Sequence, residues 1–361
     1  MSPITSFPPA LSKAPTVPRL MLGVALTLGT PALALACATC GCSLSSDAAM
    51  GYSAETGWRV SVDYTFINQN QLRSGRSSVS ASQAAAINDA GGSQEVENKT
   101  INRYTNLGIS YTPTPEWNIT ATIPYIDRSH TTYGNAGAAN LTADNLSGAT
   151  SSGIGDIKLV TSYQGWLPTH NLGVQLGVKL PTGDYGGQNV VTGATVGRNP
   201  VFFSSGPNAA GSQALDTSLQ PGTGSTDLIL GAYYYQPVSQ DFDAFINGQY
   251  QFAIAHKLDQ ANADFRPGNQ ANISFGLRYE ANPKLVPQVQ INLTHKSADQ
   301  GALADSANTA GTVAYLSPGA TVEVASRLHV YGFVQKAFYS QLSGYQLFPR
   351  WSANIGASLA F

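Results

Sequence analysis

From Trp351 to Phe361 the chain alternates with a period of two. One face of this segment carries Trp351, Ala353, Ile355, Ala357, Leu359 and Phe361, and the other carries Ser352, Asn354, Gly356, Ser358 and Ala360. Successive side chains of a strand point to opposite faces, so such a strand divides an apolar medium from a polar one. The apolar face also opens and closes on an aromatic ring. Lipid on one side, a polar interior on the other and rings at both interfaces would satisfy this pattern.

The composition agrees with that reading. The 361 residues include 19 Lys+Arg and 21 Asp+Glu, so 11% are charged, against roughly 25% in soluble domains. Mean hydropathy is nevertheless only −0.09. After residue 36 no apolar run approaches the ~18 residues of a spanning helix. Alternation explains both facts, because every second residue of a membrane strand faces water. A net charge of −2, without a basic block or an aromatic RNA-binding platform, argues against nucleic-acid partners.

Period-2 patterning predicts twelve strands, near 57–68, 101–112, 116–128, 155–164, 170–181, 225–236, 241–253, 269–280, 285–296, 312–324, 327–338 and 350–361. Each is close to the about 9–11 residues that a tilted membrane strand requires. The sixth and eleventh are ambiguous in phase, since aromatics occupy both faces. Turns after the even strands are short, as at Pro113 to Pro115 and Ala281 to Lys284, whereas the connections after the odd strands are long and polar. These are rich in Ser, Asn, Gly and Ala, a composition expected to bury no core and to be mobile or to fold into the mouth.

The chain therefore reads as all-β: a single transmembrane antiparallel up-and-down barrel, with short periplasmic turns and long extracellular loops. Residues 1–36 read as a signal peptide. Lys13 and Arg19 precede the apolar stretch Leu20 to Leu35, and Ala34-Leu35-Ala36 matches a cleavage site. Residues 37–56 form a Cys-containing periplasmic tail and 57–361 the barrel. Export of this kind puts the protein in a Gram-negative outer membrane with both termini periplasmic. Its partners there are the lipid bilayer, the barrel-assembly machinery and a small solute.

Cys37, Cys40 and Cys42 are the three cysteines. A C-x-x-C-x-C cluster suits a soft metal held by thiolates, but it is one ligand short of a closed zinc site. A local disulfide and lipidation of Cys37 are the alternatives. No other cofactor is implied. By parity the lumen receives Arg59, Asp63, Lys158, Lys179, Asp243, Arg278 and Glu280, which either set selectivity or pair to brace the barrel. Gly173, Gly177, Gly231, Gly276 and Gly356 fall where a side chain would crowd the lumen or where a strand must bend. Ser129-His130 is a faint echo of a Ser–His–Asn barrel lipase set, and no enzyme activity is expected.

The final strand, closing on Phe361, resembles the C-terminal signature of bacterial outer-membrane proteins. Two internal segments carry a narrower likeness. The first is Ser152-Gly153-Ile154-Gly155-Asp156-Ile157-Lys158-Leu159, and the second runs from Leu176 to Asp184 through Pro181-Thr182-Gly183. Gly153, Gly155 and Asp156 followed by Pro181, Thr182 and Gly183 resemble the putative outer-membrane transporters of the MetA-pathway of phenol degradation family. The resemblance implies a channel whose cargo includes aromatic or hydrophobic solutes. The expected function is passive passage of such a solute. The rivals are a structural barrel anchoring a periplasmic redox or metal partner through the Cys-rich tail, and an outer-membrane barrel enzyme.

Overall fold

The computed structural model describes residues 56–361. The expected leader, the tail up to residue 55, and Cys37, Cys40 and Cys42 lie outside the described residues. In chain order the elements are β1 (Gly57–Gly75), β2 (Ser77–Ser78), α1 (Ala81–Asp89), β3 (Glu97–Thr114), β4 (Trp117–Thr132), β5 (Ser147–Ile154), β6 (Lys158–Tyr163) and β7 (Leu172–Lys179). They continue with β8 (Tyr185–Gln188), β9 (Thr195–Arg198), α2 (Gly206–Ala210), β10 (Ser225–Pro237), β11 (Phe242–His256), β12 (Gln270–Tyr279), β13 (Leu285–Lys296), β14 (Gly311–Ala325) and β15 (Leu328–Ala360). Among the described residues no helix is long and apolar enough to cross a membrane.

The strands close on themselves. Going round the ring, the antiparallel order is β15, β14, β13, β12, β11, β10, β7, β6, β4, β3 and β1, and β15 pairs with β1. Closure leaves no free edge in the ring and satisfies backbone groups that lipid could not. The seam is fixed at its end by Trp58 N–H to Phe361 O at 2.9 Å and Phe361 N–H to Trp58 O at 2.8 Å. Gly57, at φ 127°, allows this approach, because a Cβ there would sit 2.8 Å from Phe361 O.

The last element spans 33 residues. Its first half pairs with β14 and its second half with β1. The two halves lie side by side: Ser352 Oγ donates to Gln335 Oε1 at 3.4 Å, and the Tyr331 ring crosses Gly356. The chain turns between them near Gly344, which has φ 51°.

The alternation is clearest in β13, where exposed and buried residues interchange along all 12 positions. Val289, Ile291 and Leu293 point outward, while Gln288, Gln290, Asn292 and Thr294 are buried inside. Ile355 and Leu359 on β15 are likewise outward and exposed, and Ser352 and Ser358 are inward and buried. The polar interior is laced by cross-strand bonds, such as Asn292 Nδ2 to Ser317 Oγ at 2.8 Å and Asn354 Nδ2 to Thr65 Oγ1 at 2.8 Å.

Aromatic rings ring the short-turn end: Trp58 stacks on Tyr111 at 4.6 Å, Trp117 meets Tyr163 at 4.8 Å, and Phe242 meets Tyr279 at 5.0 Å. The phase-ambiguous segments settle with rings on both faces. Tyr233, Tyr331 and Phe333 turn inward and are buried, while Val334 and Phe338 face out.

The long connections depart from the expectation that they bury no core. Leu72, Ala84, Ala85, Val96 and Leu347 form one buried cluster, and Ala149, Phe203, Leu215 and Leu219 form another. Residues 81–89 make a helix because Ser80 and Gln83 form a capping box. Gln83 N–H donates to Ser80 Oγ, and Ser80 N–H donates to Gln83 Oε1 at 2.8 Å. Strand pairing also runs further than the pattern suggests, with β1, β3, β4 and β15 extending into segments expected to be loops.

Candidate functional site

The site lies in the lumen beneath the long connections. It is assembled by the two motif segments. Thr182 Oγ1 accepts from Ile157 N–H and donates to Gly155 O, both at 2.8 Å. Asp156 Oδ1 accepts from Gly183 N–H at 3.1 Å. Gly155 and Gly183 are small of necessity: a Cβ would come within 2.8 Å of Ile126 Cδ1 in one case and of Gly222 Cα in the other. Pro181 ends the β7 pairing just beyond Lys179, and Gly153 faces open space.

This clasp aims Asp156 at Lys179. Lys179 Nζ lies 3.1 Å from Asp156 Oδ2 and 3.2 Å from Asp227 Oδ2, and all three side chains are buried. Thr223 and Ser225 complete the cradle as acceptors for the ammonium. Gln251 Nε2 donates to Asp227 Oδ2 at 2.6 Å. Burying an ion pair costs solvation, and only dense hydrogen bonding of this kind offsets it.

Above this cradle is a cavity of about 390 Å³, within the range of small-molecule pockets. Tyr104, Pro124, Ile126, Pro221, Phe265 and Pro267 give it apolar surface, and Arg128, Lys158, Lys179 and Lys296 supply cations. Lys296 Nζ pairs with Asp299 Oδ1 at 2.7 Å. Arg128 donates to neutral acceptors: Asn102 Oδ1 at 2.6 Å, Tyr104 OH at 3.0 Å and the carbonyl of Leu219. Lys158 sits opposite Lys179 in the β6–β7 ladder and stays accessible within the lumen.

The seven lumen residues expected from parity thus divide. Lys158 and Lys179 meet in the cavity. The other five lie in the short-turn half of the barrel. Arg59 borders a second cavity of about 470 Å³ at the short-turn mouth, with Arg327 and Phe361. Asp63 accepts from Tyr331 OH. Arg278 pairs with Glu280 at 2.9 Å and stands opposite Asp243 in the ladder, so here the bracing alternative describes the geometry. The same half is narrowed by inward rings seated on glycines of the adjoining strand: Tyr233 on Gly173, Phe245 on Gly276, Phe333 on Gly319 and Tyr331 on Gly356. A Cβ at any of these glycines would overlap the ring.

Arg128, Asp227, Lys296 and Asp299 line the cavity as well and lie outside the set that parity points to. Arg128 and Lys296 sit at the ends of predicted strands, where parity is easily lost, and Asp299 lies on a connection that no pattern constrains. Asp227 shares its inward face with Ser225, a signal that the phase ambiguity of that strand hid.

Three connections meet over the cavity through an acidic cluster. His130, buried on β4, has Nδ1 2.8 Å from Thr100 Oγ1 and Nε2 3.9 Å from Glu95 Oε1. Ser129 is on the opposite face of the same strand. Burial pushes Asp216 well above the usual carboxylate range, and the charges of Glu95 and Asp305 push it further. Burial and then Glu95 push Asp305 up to about 7. For Glu95, burial pushes the carboxyl up, but His130 and hydrogen bonds from Thr132 and Asp216 together outweigh it and hold the carboxyl below its ordinary value. Among the described residues no group of three or more His, Cys, Asp or Glu is placed to hold a metal ion.

A closed antiparallel barrel with an outward apolar band, an aromatic girdle and a polar lumen has counterparts among solved structures. The crystal structure of the COG4313 outer membrane channel from Pseudomonas putida F1 matches with a TM-score of 0.57 at 12% identity, covering 85% of this chain and 96% of that one. The fold is that of an outer-membrane β-barrel. The Ralstonia pickettii toluene transporter TbuX matches at a TM-score of 0.40 and 11% identity, covering 85% of this chain and 90% of that one. That similarity is too low to carry an argument. No family model matches the chain, and no curated protein does.

Proposed function

We propose that this protein is an outer-membrane channel for passive passage of a small solute, with aromatic or hydrophobic solutes among its cargo. The observation that carries the reading is the cavity of about 390 Å³, which combines apolar surface with a few oriented charges inside a closed barrel. Pockets of that make-up take small molecules. The likeness to a channel fold supports it, and the resemblance of segments 153–156 and 181–183 to the MetA-pathway transporters points the same way. In this reading β15 counts as two strands and β5 with β6 as one, which makes twelve. Residues 1–36 are a signal peptide cleaved before Cys37, the barrel-assembly machinery inserts the mature chain, and both termini stay periplasmic. The short turns are then periplasmic and the long connections extracellular.

Twelve strands enclose a narrow lumen, smaller than that of the wide porins with 16–18 strands. Inward rings restrict it further, so small conductance and discrimination between solutes are expected. The alternative of an anchor for a periplasmic partner rests on Cys37, Cys40 and Cys42, which are outside the described residues. Purified mature protein in planar bilayers and in swelling liposomes tests the channel reading. Small, discrete conductance steps and entry of small aromatic solutes are expected. A silent barrel that also blocks every solute would overturn it.

A further inference from the structure

The cavity has a polarity along its length. Thr122, Pro124, Ile126 and Arg128 form one lumen-facing row of β4, with Lys158 opposite Thr122 at its inner end. At ~3.3 Å per residue the row spans about 20 Å. Its middle is apolar, and Pro221, Phe265 and Pro267 from the covering connections face it.

The charges do not cancel around this space. The four cations Arg128, Lys158, Lys179 and Lys296 face the three acids Asp156, Asp227 and Asp299. All three acids are committed to cations other than Lys158: Asp156 and Asp227 hold Lys179 at 3.1 and 3.2 Å, and Asp299 holds Lys296 at 2.7 Å. Arg128 is held by neutral acceptors. Lys158 makes no ion pair within 4.0 Å among the described residues, yet it keeps access to the lumen.

We infer that the cavity selects small organic monoanions with an apolar body, such as aromatic carboxylates, and that Lys158 is the residue that meets their negative end. The inference rests on the channel reading and sharpens its solute class. A monoanion balances the excess charge, and its body replaces water along Pro124 and Ile126. A neutral hydrocarbon leaves Lys158 without an ion pair, and an organic cation is repelled. Arg128, fixed at the far end of the row, adds long-range attraction rather than a contact.

Three probes of nearly equal shape test this: benzoate, benzyl alcohol and benzylammonium. Calorimetry on the detergent-solubilised protein reads binding, and planar bilayers read entry and current block. Benzoate should bind and block best, and Lys158→Gln should weaken it by roughly tenfold, the effect of losing a hydrogen bond to a charged group. Lys158→Glu should reverse the order of benzoate and benzylammonium. Lys284→Gln, on an exposed short turn, should leave the order unchanged, and heat-modifiable gel mobility should confirm that each barrel is folded. Equal binding of the three probes, or a benzoate preference unaltered in both Lys158 variants, overturns the inference while an open pore leaves the channel reading standing. Benzoate binding that needs Lys158 in a barrel without conductance does the reverse.

Discussion

At the scale of single residues, Asp156 ties the most together. One oxygen takes the Gly183 backbone N–H at 3.1 Å. The other takes Lys179, the Thr223 N–H at 3.0 Å and the Thr223 hydroxyl at 2.8 Å. It thus joins the β5–β6 break to both ends of the 182–224 connection. Asp156→Asn keeps the shape and removes the charge. Lys179 would keep Asp227, so the expected loss is about 1–3 kcal/mol, that of one charge-assisted bond. It should appear as a lower midpoint in heat-modifiable unfolding, with larger and noisier conductance as the connection loosens. An unchanged midpoint and unchanged current would show that Asp156 holds nothing in place. The sequence singled out Asp156 and Lys179 separately, through motif and parity. It could not pair them, because their contact depends on a register between strands that no local pattern states.

Among the elements, β15 tests the membrane assignment. Ile355 is exposed on the outer face, about six residues from the chain end, whereas Asn354 faces inward and binds Thr65. At ~3.3 Å per residue along a tilted strand, Ile355 falls near mid-membrane. Ile355→Lys should cost about 2–4 kcal/mol of insertion free energy, read as a loss of folded barrel in liposome folding assays. Asn354→Lys should fold nearly as the parent does. Equal defects in both would contradict the assigned faces. Here the alternation was readable from Trp351 onward, since lipid and lumen impose opposite demands on neighbouring residues. The inward rings of Tyr233, Tyr331 and Phe333 were not, because a ring can face lipid or fill a notch above a glycine. Which of these occurs depends on the glycine across the ladder. The helix at Ala81–Asp89 has its signal in Ser80 and Gln83, inside a segment whose overall composition reads as a plain loop.

Over the whole molecule, the covering connections are held by groups that titrate. Asp305, raised to about 7 by burial and by Glu95, keeps its proton in the folded cover below neutral pH. A carboxyl with a raised folded value favours the closed form fully below about 4, and that contribution is lost as pH climbs through 7. Asp216 acts in the same sense. Glu95, held low beside His130, acts oppositely: its contribution is present above about 4.5 and lost on acidification. The cover should therefore be tightest near pH 4.5 and loosen as pH climbs from there to about 7. Conductance recorded from pH 5 to 9 should rise as pH climbs to about 7, and Asp305→Asn should flatten that rise. A profile unchanged by the substitution would assign the cover to other contacts. The barrel class and the two faces of each well-patterned strand can be read from the residues alone, because a bilayer imposes opposite demands on neighbouring positions, and the alternation of short and long connections follows from where the patterned segments stop. The packed cover, the Asp156–Lys179–Asp227 cradle and the cavity with Lys158 at its short-turn end appear only in the folded barrel. Those depend on ring closure, which brings together side chains far apart in the chain through registers that local alternation leaves free.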